Sequence, residues 1–414
     1  MTWRESLQPL QAAEFRYYLI ARTVDLFGNT MAPVAVAFAV LHIGGSATDL
    51  GLVLAARSVP LVVFTLYGGV IADRMGRDRV LVTACVLSGV VQGLAAYLLI
   101  GDLATVALLA FVEAVHGTVS AFTMPAVQGV VPLLVERDRL QHANALAAVG
   151  RNAAIMTGPA VGGILVATAG AGWALAVDAL TFVVAGVLFA RLRLPHDAVL
   201  AGSSILSELK DGWAEFVSRT WVWVIVLGFG VLNALWACAW VTLGPVVADE
   251  TIGADGWGLV LTGQAVGLMV GTLLLLRLRV RHPLRLGMVG VTALCLPMLM
   301  LGVAPQLGLL LISACVAGVG MDLFGITWET ALQQHVPVSR LSRVTAYDVL
   351  GSIVAVPIGQ IAAGPLVAVF ELRSVLLGCA TVYVSVALAV LAVPAVWRLR
   401  AESTSVVAGD GAAA

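Results

Sequence analysis

The stretch GVIADRMGRDR, residues 69–79, divides a long apolar part of the chain. It carries two aspartates and three arginines, whereas residues 58–72 and 80–100 contain no charged side chain. A helix that crosses the hydrocarbon layer of a bilayer needs about 20 predominantly apolar residues. The stretch therefore indicates a short polar turn between two membrane-spanning helices.

The composition of the whole chain agrees with a membrane protein. Of its 414 residues, 60% are hydrophobic and only 11% are charged, whereas soluble domains carry roughly 25% charged residues. The net charge of −1 gives no reason to expect a nucleic-acid partner. The five cysteines form no CxxC pair, so neither a metal cluster nor a disulfide framework is expected.

Apolar runs of spanning length recur along the chain and predict an all-α membrane protein with twelve transmembrane helices. Strands of a barrel would instead show short alternating segments. The predicted spans are residues 17–41, 51–72, 80–100, 103–125, 142–168, 172–192, 221–247, 257–278, 285–304, 306–330, 346–369 and 374–397.

Basic residues predict the orientation of these helices. With the N-terminus in the cytosol, the inner segments carry almost all arginines outside the helices, and the outer loops carry only Arg373. Positive charge is retained on the cytoplasmic side of a membrane. We therefore expect a multi-pass protein of the cell inner (plasma) membrane, with both termini in the cytoplasm.

Two halves of similar size are separated by the longest polar interruption. AVQGVVP at 126–132 has a counterpart in ALQQHVP at 331–337, and Gly158-Pro159 has one in Gly364-Pro365. This repeat predicts two six-helix bundles related by a pseudo-two-fold axis. The predicted domains are an N-terminal bundle over 1–193, a linker with an amphipathic surface helix over 194–220, a C-terminal bundle over 221–400 and a disordered cytoplasmic tail over 401–414.

The opening stretch resembles the signature loop of the major facilitator superfamily, with a glycine, then Asp-Arg, then Gly-Arg. Asp78 departs from that pattern, since the family usually has a basic residue there. The resemblance implies a latch in which Asp73 contacts the start of the eleventh helix and closes the inner side. The gating residues that it identifies are Gly69, Asp73, Arg74, Gly76 and Arg77.

Helix five carries Gly158-Pro159 and Gly162-Gly163, which resemble the antiporter motif of the drug-efflux branches. Ordinary close packing of small residues is the alternative explanation. Helix four has Glu113 and His116 where proton-coupled drug transporters have Arg and Gln, so the role of that arginine does not carry over. The length and the ALQQHVP run are more similar to the macrolide-efflux and enterobactin-exporter branch of drug:proton antiporters.

Polar side chains on helices one, four, seven and ten predict the transport path. The resemblance implies that these four helices line a central cavity, and ionisable residues inside a membrane usually face one. A buried carboxyl group binds a proton more readily than an exposed one, so Glu113 is a candidate proton carrier. The candidates for proton or substrate binding are Asp25, Glu113, His116, Asn233, Trp236, Trp240, Asp322 and Glu329.

Other roles remain open for several candidates. Asp25 either pairs with Arg22 for structural reasons or binds a proton or substrate, and His116 either makes a hydrogen bond in the cavity or shuttles a proton. Trp236 and Trp240 either pack or stack on a planar ligand. Between Asp322 and Glu329, the sequence does not choose a proton or cation site.

These features predict a secondary active exporter of hydrophobic or amphipathic small molecules, driven by proton antiport with alternating access. The alternatives are a dedicated exporter of a siderophore or antibiotic that the host makes, a nutrient symporter, and a lipid transporter. No P-loop, zinc spacing or nucleophile motif indicates an enzyme. We expect no cofactor and no metal, a monomer in the lipid bilayer, and a small-molecule substrate and protons as partners.

Overall fold

The computed structural model describes residues 7–128, 130–136, 139–194, 213–277 and 280–400, but not the side chains of 66–74, 124, 125, 128, 141, 276, 338–343 and 346. Within this part of the chain, twelve helices are long and apolar enough to cross a membrane. They are α1 (Ala13–His42), α2 (Ala47–Met75), α3 (Arg77–Ile100), α4 (Val106–Gln128), α5 (Leu140–Ala169), α6 (Ala171–Phe189), α7 (Thr220–Trp236 and Leu243–Thr251, joined by a π-helical turn at Ala237–Thr242), α8 (Gly253–Arg277), α9 (Pro283–Thr292 and Cys295–Val303), α10 (Leu307–His335), α11 (Val338–Ile353 and Val356–Val369) and α12 (Leu372–Ala392). Shorter helical turns lie at Gln8–Gln11, Val131–Leu134 and Pro394–Trp397.

Local sequence explains where α2 begins and ends. The Ser46 hydroxyl accepts a hydrogen bond from the Asp49 amide, and the Asp49 carboxylate accepts one from the Ser46 amide at 2.8 Å. This capping box satisfies amide groups that an open helix end leaves unpaired. At the other end Gly76 has φ +87°, a conformation that glycine adopts at no steric cost. The polar stretch of the sequence therefore forms a sharp turn between α2 and α3.

Three prolines explain why α7, α9 and α11 are interrupted. Pro245, Pro297 and Pro357 each lie two or three residues after an interruption. Proline has no amide hydrogen, and its ring clashes with the carbonyl group four residues earlier. Those carbonyls belong to residues 241, 293 and 353, which lie in or beside the three interruptions.

The helices form two six-helix bundles, α1–α6 and α7–α12, related by a pseudo-two-fold axis. Within the bundles, α2 packs on α4, α3 on α6, and α8 on α10. Between the bundles, the two main contacts are α5 with α8 and α2 with α11. The repeated Gly-Pro pair lies on α5 and α11, so it marks one helix of each main contact.

The bundles touch at one end of the molecule, which we call the closed end and define by the turns at 43–46, 170 and 370–371. A Cβ atom at Gly51 would overlap the Gln360 carbonyl oxygen, and one at Gly364 would overlap Thr48. The His42 ring also lies 3.3 Å from the Asp249 carboxylate, which joins α1 to α7. Toward the opposite end, the open end, a cleft separates α5 from α8 and α10.

The predicted all-α fold with twelve transmembrane helices is confirmed. The observed ends of the helices differ from the predicted ones by several residues, because apolar helices continue beyond the hydrocarbon-length core that composition detects. The predicted tail over 401–414 and most of the linker, residues 195–212, lie outside the described residues. The division into domains therefore stays a prediction at those boundaries.

Candidate functional site

The glycines of the helix-five motif bring three helices together. Gly158 and Gly162 lie against α1, where added Cβ atoms would overlap the Thr30 hydroxyl and crowd Met31. Gly163 lies against α8, where a Cβ atom would overlap the Ala254 carbonyl oxygen. Pro159 is on this second face too, because its carbonyl oxygen would collide with a Cβ atom at Gly258. The motif is thus the packing surface that joins the bundles near the closed end.

Directly beyond this contact, α5 and α8 diverge and leave a cleft of about 390 Å³. The last hydrogen bond before the cleft runs from the Thr262 hydroxyl to the Met156 carbonyl oxygen, at 3.0 Å. The cleft lies between the bundles and is lined by Ala148, Arg151, Asn152, Ile155 and Met156 of α5, Ala265, Leu268, Met269 and Thr272 of α8, and Asp322 and Ile326 of α10.

Opposite walls of the cleft carry opposite charges. Asp322 accepts a hydrogen bond of 2.8 Å from the Thr272 hydroxyl. Arg151 projects from the facing bundle and makes no ion pair with Asp322. Methionine and isoleucine side chains between them provide adaptable apolar surface. This arrangement suits a molecule with an apolar body and a polar or charged group.

Glu329 lies two turns from Asp322 on α10 and is exposed. Open space surrounds Gly325, which is one turn from Glu329 on the same face. This part of α10 is therefore accessible between Asp322 and the open end.

The α7 candidates lie in two different environments. The Asn233 side chain donates a hydrogen bond of 2.8 Å to the Ser352 carbonyl oxygen of α11, a contact within one bundle. Trp240 lies between Trp236 and Trp257, with ring centroids 5.2 and 4.7 Å away. The tryptophans also line a smaller cavity of about 230 Å³ that Pro33 and Leu54 of the other bundle complete.

Asp25 is buried and fully engaged inside the N-terminal bundle. It lies 2.5 Å from the Arg22 guanidinium group and accepts a hydrogen bond of 3.1 Å from the Asn29 amide. The pairing of Asp25 with Arg22, one of the two sequence-based alternatives, is thus present.

Glu113 and His116 do not line the cleft, because α4 turns both side chains into the N-terminal bundle. Their exposed fractions are 2% and 0%. Glu113 lies 3.7 Å from the Arg57 guanidinium group of α2, and the His116 ring lies 2.9 Å from the Gln92 amide of α3. The expected polar face of α4 is therefore an interior surface of the bundle.

The structure describes the side chains of only some of the gating residues of the first motif. Gly76 forms the turn described above, and Arg77 begins α3. Gly69, Asp73 and Arg74 belong to α2, but their side chains lie outside the described residues. The latch with the start of α11 stays a prediction.

Sequence reasoning missed three polar residues of these sites. Arg57 of α2 pairs with Glu113. Arg151 lines the cleft, and Asp178 is fully buried inside the N-terminal bundle. A rule that treats every ionisable residue within a predicted span as a site candidate would have found all three.

Comparison with known proteins places the chain in a family. A model of the transmembrane secretion effector family, a family of major facilitator transporters, matches residues 4–310. The chain belongs to this family. As a member, this transporter is not an enzyme, and the suspected relationship to the major facilitator superfamily is confirmed.

Curated relatives of this transporter are exporters by name. The multidrug efflux pump Tap of Mycobacterium tuberculosis is 26% identical, with 92% of this chain and 93% of the pump covered. The macrolide efflux protein A of Streptococcus pyogenes is 25% identical, with 84% and 88% covered. The enterobactin exporter EntS of Escherichia coli is 25% identical, with 82% and 83% covered.

Solved structures confirm the fold. The nucleoside transporter NupG matches with a TM-score of 0.70 at 15% identity, over 93% of this chain and 99% of that chain. An inward-facing, unoccupied bacterial homologue of the human lysosomal transporter Spinster matches with a TM-score of 0.65 at 13% identity, over 94% and 97%. These likenesses establish architecture only.

Proposed function

We propose that this transporter exports hydrophobic or amphipathic small molecules in exchange for protons. The observation that carries the proposal is the cleft between the bundles, which is blocked at one end by the α5 and α2 contacts and continues toward the other. Such a cleft fits alternating access, in which the bundles rock about a site between them. The export direction is supported by the names of the relatives and by the motif on α5.

The distribution of basic residues favours a cytoplasmic position for the open end. Arg191, Arg193, Arg219, Arg281 and Arg285 lie at or near that end. Under the positive-inside rule, the structure is then the inward-facing state. In this state the cleft takes up substrate from the cytoplasm or the inner leaflet.

Acidic residues inside the N-terminal bundle support proton coupling. Asp25, Glu113 and Asp178 are all at most 2% exposed. A proton gradient supplies enough energy, since one charge across 100 mV contributes about 2.3 kcal/mol and one pH unit contributes about 1.4 kcal/mol. This chain has no P-loop that would use ATP instead.

The proposal is tested by efflux from cells that lack their own pumps. Cells that express the transporter are loaded with ethidium or a macrolide, and export is followed with and without a proton uncoupler. Export that stops with the uncoupler supports proton antiport. Export that continues unchanged contradicts it, because the substrate would then leave without the proton gradient.

A dedicated exporter of a host metabolite is the second candidate, favoured by the relationship to an enterobactin exporter. Its cleft chemistry would be the same, so substrate range separates the two. No export of ethidium or macrolide, together with export of one compound from the host, supports the second candidate. Uptake driven by the natural gradient would instead indicate a symporter, and movement of a fluorescent lipid alone would indicate a lipid transporter.

Substitution of Asp322 with asparagine is expected to weaken the binding of cationic substrates about tenfold or more, because a hydrogen bond or contact to a charged group contributes about 1.5–3 kcal/mol. A neutral substrate of similar size should bind as before. Equilibrium binding to purified protein measures both. Glu371→Gln is the control, since it removes an exposed carboxylate at the closed end, away from the cleft. Equal losses for cationic and neutral substrates would mean that Asp322 only maintains the shape of the cleft.

A further inference from the structure

Five charged side chains lie together inside the N-terminal bundle, apart from the cleft. We call Arg22, Asp25, Arg57, Glu113 and Asp178 the buried charge cluster. Two ion pairs define its edges, Arg22 with Asp25 and Arg57 with Glu113. Asp178 of α6 is the fifth member: its carboxyl group lies against Gly28 of α1, one turn from Asp25, and it interacts electrostatically with Asp25, Arg57 and Glu113.

The cluster contains three carboxyl groups and two guanidinium groups. Arginine does not lose its proton in proteins, so the cluster is neutral only when one carboxyl group carries a proton. Release of that proton leaves an uncompensated negative charge in the bundle, which is strongly unfavourable. The composition of the cluster therefore favours the binding of one proton.

The other titratable groups near the cluster do not supply a positive charge that would take the place of this proton. Tyr18 and Cys85 lie near Arg22 and Asp25, and neither brings a positive charge. The His116 ring contacts Gln92 and is edge-on to Phe182 at 5.7 Å, with no carboxylate at ion-pair distance among the described residues. The balance of charge in the cluster is thus decided by its own members.

Asp178 is the carboxyl group with the fewest partners. The Thr181 hydroxyl donates to the Asp178 backbone oxygen at 2.7 Å and lies 3.5 Å from its carboxyl oxygen Oδ1. The other carboxyl oxygen, Oδ2, has no hydrogen-bond partner among the described residues. Asp25 and Glu113, in contrast, each lie beside an arginine. An unpaired buried carboxyl group is the natural position of the proton.

A short connection links Asp178 to the rest of the transporter through α1. Gly28 lies against the Asp178 carboxyl group and Thr181, where any side chain would collide with both. One turn away is Asp25, whose partner Arg22 is 25% exposed. The same helix contacts α5, because the Thr30 hydroxyl donates a 3.0 Å hydrogen bond to the Ala154 carbonyl oxygen, one turn from Arg151 in the cleft.

We propose that Asp178 holds the transported proton inside the N-terminal bundle, so that proton and substrate occupy different sites and are coupled through α1 and α5. This inference rests on the proposed proton antiport. It predicts that a substrate does not have to displace the proton from a shared carboxylate. Loss of the proton site should leave substrate binding and exchange intact.

The test uses the purified full-length transporter in proteoliposomes with a labelled macrolide. Wild type and Asp178→Asn are compared in two assays. The first measures accumulation of substrate in vesicles whose interior is one pH unit more acidic than the outside. The second measures exchange of labelled for unlabelled substrate at equal pH on both sides. For one-for-one exchange, wild type should accumulate substrate about tenfold. Asp178→Asn should not accumulate substrate, but it should exchange at a rate within about twofold of wild type, and that rate should lose its dependence on pH.

Control variants make the outcome decisive. Ser88→Ala removes another buried polar group of the same bundle and should keep both activities. Asp322→Asn should weaken substrate binding instead. Accumulation by Asp178→Asn at the wild-type level, or equal loss of accumulation and exchange in folded protein, would overturn the inference. Exchange without accumulation in wild type would reject proton antiport itself, and this result is distinguishable from failure of the Asp178 inference alone.

Discussion

Replacement of Glu113 with glutamine is expected to abolish uphill efflux. The substitution leaves two carboxyl groups and two arginines in the buried charge cluster, so the cluster becomes neutral without a proton. Arg57 then loses the counter-charge of Glu113, so we expect Asp178 to remain ionised and to have no further reason to bind and release a proton. A driving force of 100 mV and one pH unit sustains a gradient of about 500-fold at most, and the variant should retain almost none of it.

The measurement is the steady-state ratio of substrate outside and inside pump-deficient cells, with and without uncoupler. Glu329→Gln is followed beside Glu113→Gln, because the sequence supports both residues as proton carriers. The structure favours the buried pair of Glu113 over the exposed position of Glu329. A full gradient in Glu113→Gln and none in Glu329→Gln would move the proton site from the N-terminal bundle to α10.

The second large effect is expected from Gly163→Leu. Gly163 meets the Ala254 backbone at the closed end, so a side chain there forces α5 and α8 apart. Overpacking of a tight contact costs about 1–3 kcal/mol, which shifts a two-state equilibrium about five- to 150-fold. The variant should populate a state with the closed end separated and should transport poorly. Gly378→Leu is the matched control, because open space surrounds Gly378.

Spin-label distances report this shift directly. One pair, at Leu103 and Glu371, spans the closed end, and a second pair, at Arg191 and Arg281, spans the open end. All four positions are exposed. In Gly163→Leu the first distance should lengthen and the second should shorten. Unchanged distances in a folded, inactive variant would show that the motif is needed for stability rather than for closure of this end.

The fold could be predicted because its determinants are local. The length of an apolar run identifies a spanning helix. Gly76 indicates the turn between α2 and α3, and the repeated Gly-Pro pair indicates the two halves, without knowledge of distant residues. The proline positions also explain the three interrupted helices. Helix four was harder, because the face that an α-helix turns toward its own bundle depends on neighbours. Glu113 faces inward because Arg57, 56 residues earlier, lies across from it.

The cleft could be predicted only in part for the same reason. Asp322 is polar within an apolar helix and stands out in the sequence, but its hydrogen-bond partner Thr272 and the Arg151 side chain on the facing wall belong to two other helices. Asp178 shows the limit most clearly. A single aspartate in helix six looks like a structural residue until the charges of α1, α2 and α4 are placed around it.

The three interrupted helices all belong to the second half of the chain, whereas each of α1–α6 is one unbroken helix. An uninterrupted α-helix resists bending, and kinks concentrate where the regular hydrogen-bond ladder is broken. The second bundle therefore has three interruptions at which its helices can bend, whereas Pro33, Pro60 and Pro159 of the first bundle lie inside continuous helices. We expect the second bundle to flex more than the first, at residues 237–242, 293–294 and 354–355, so that the motion of the transporter is asymmetric.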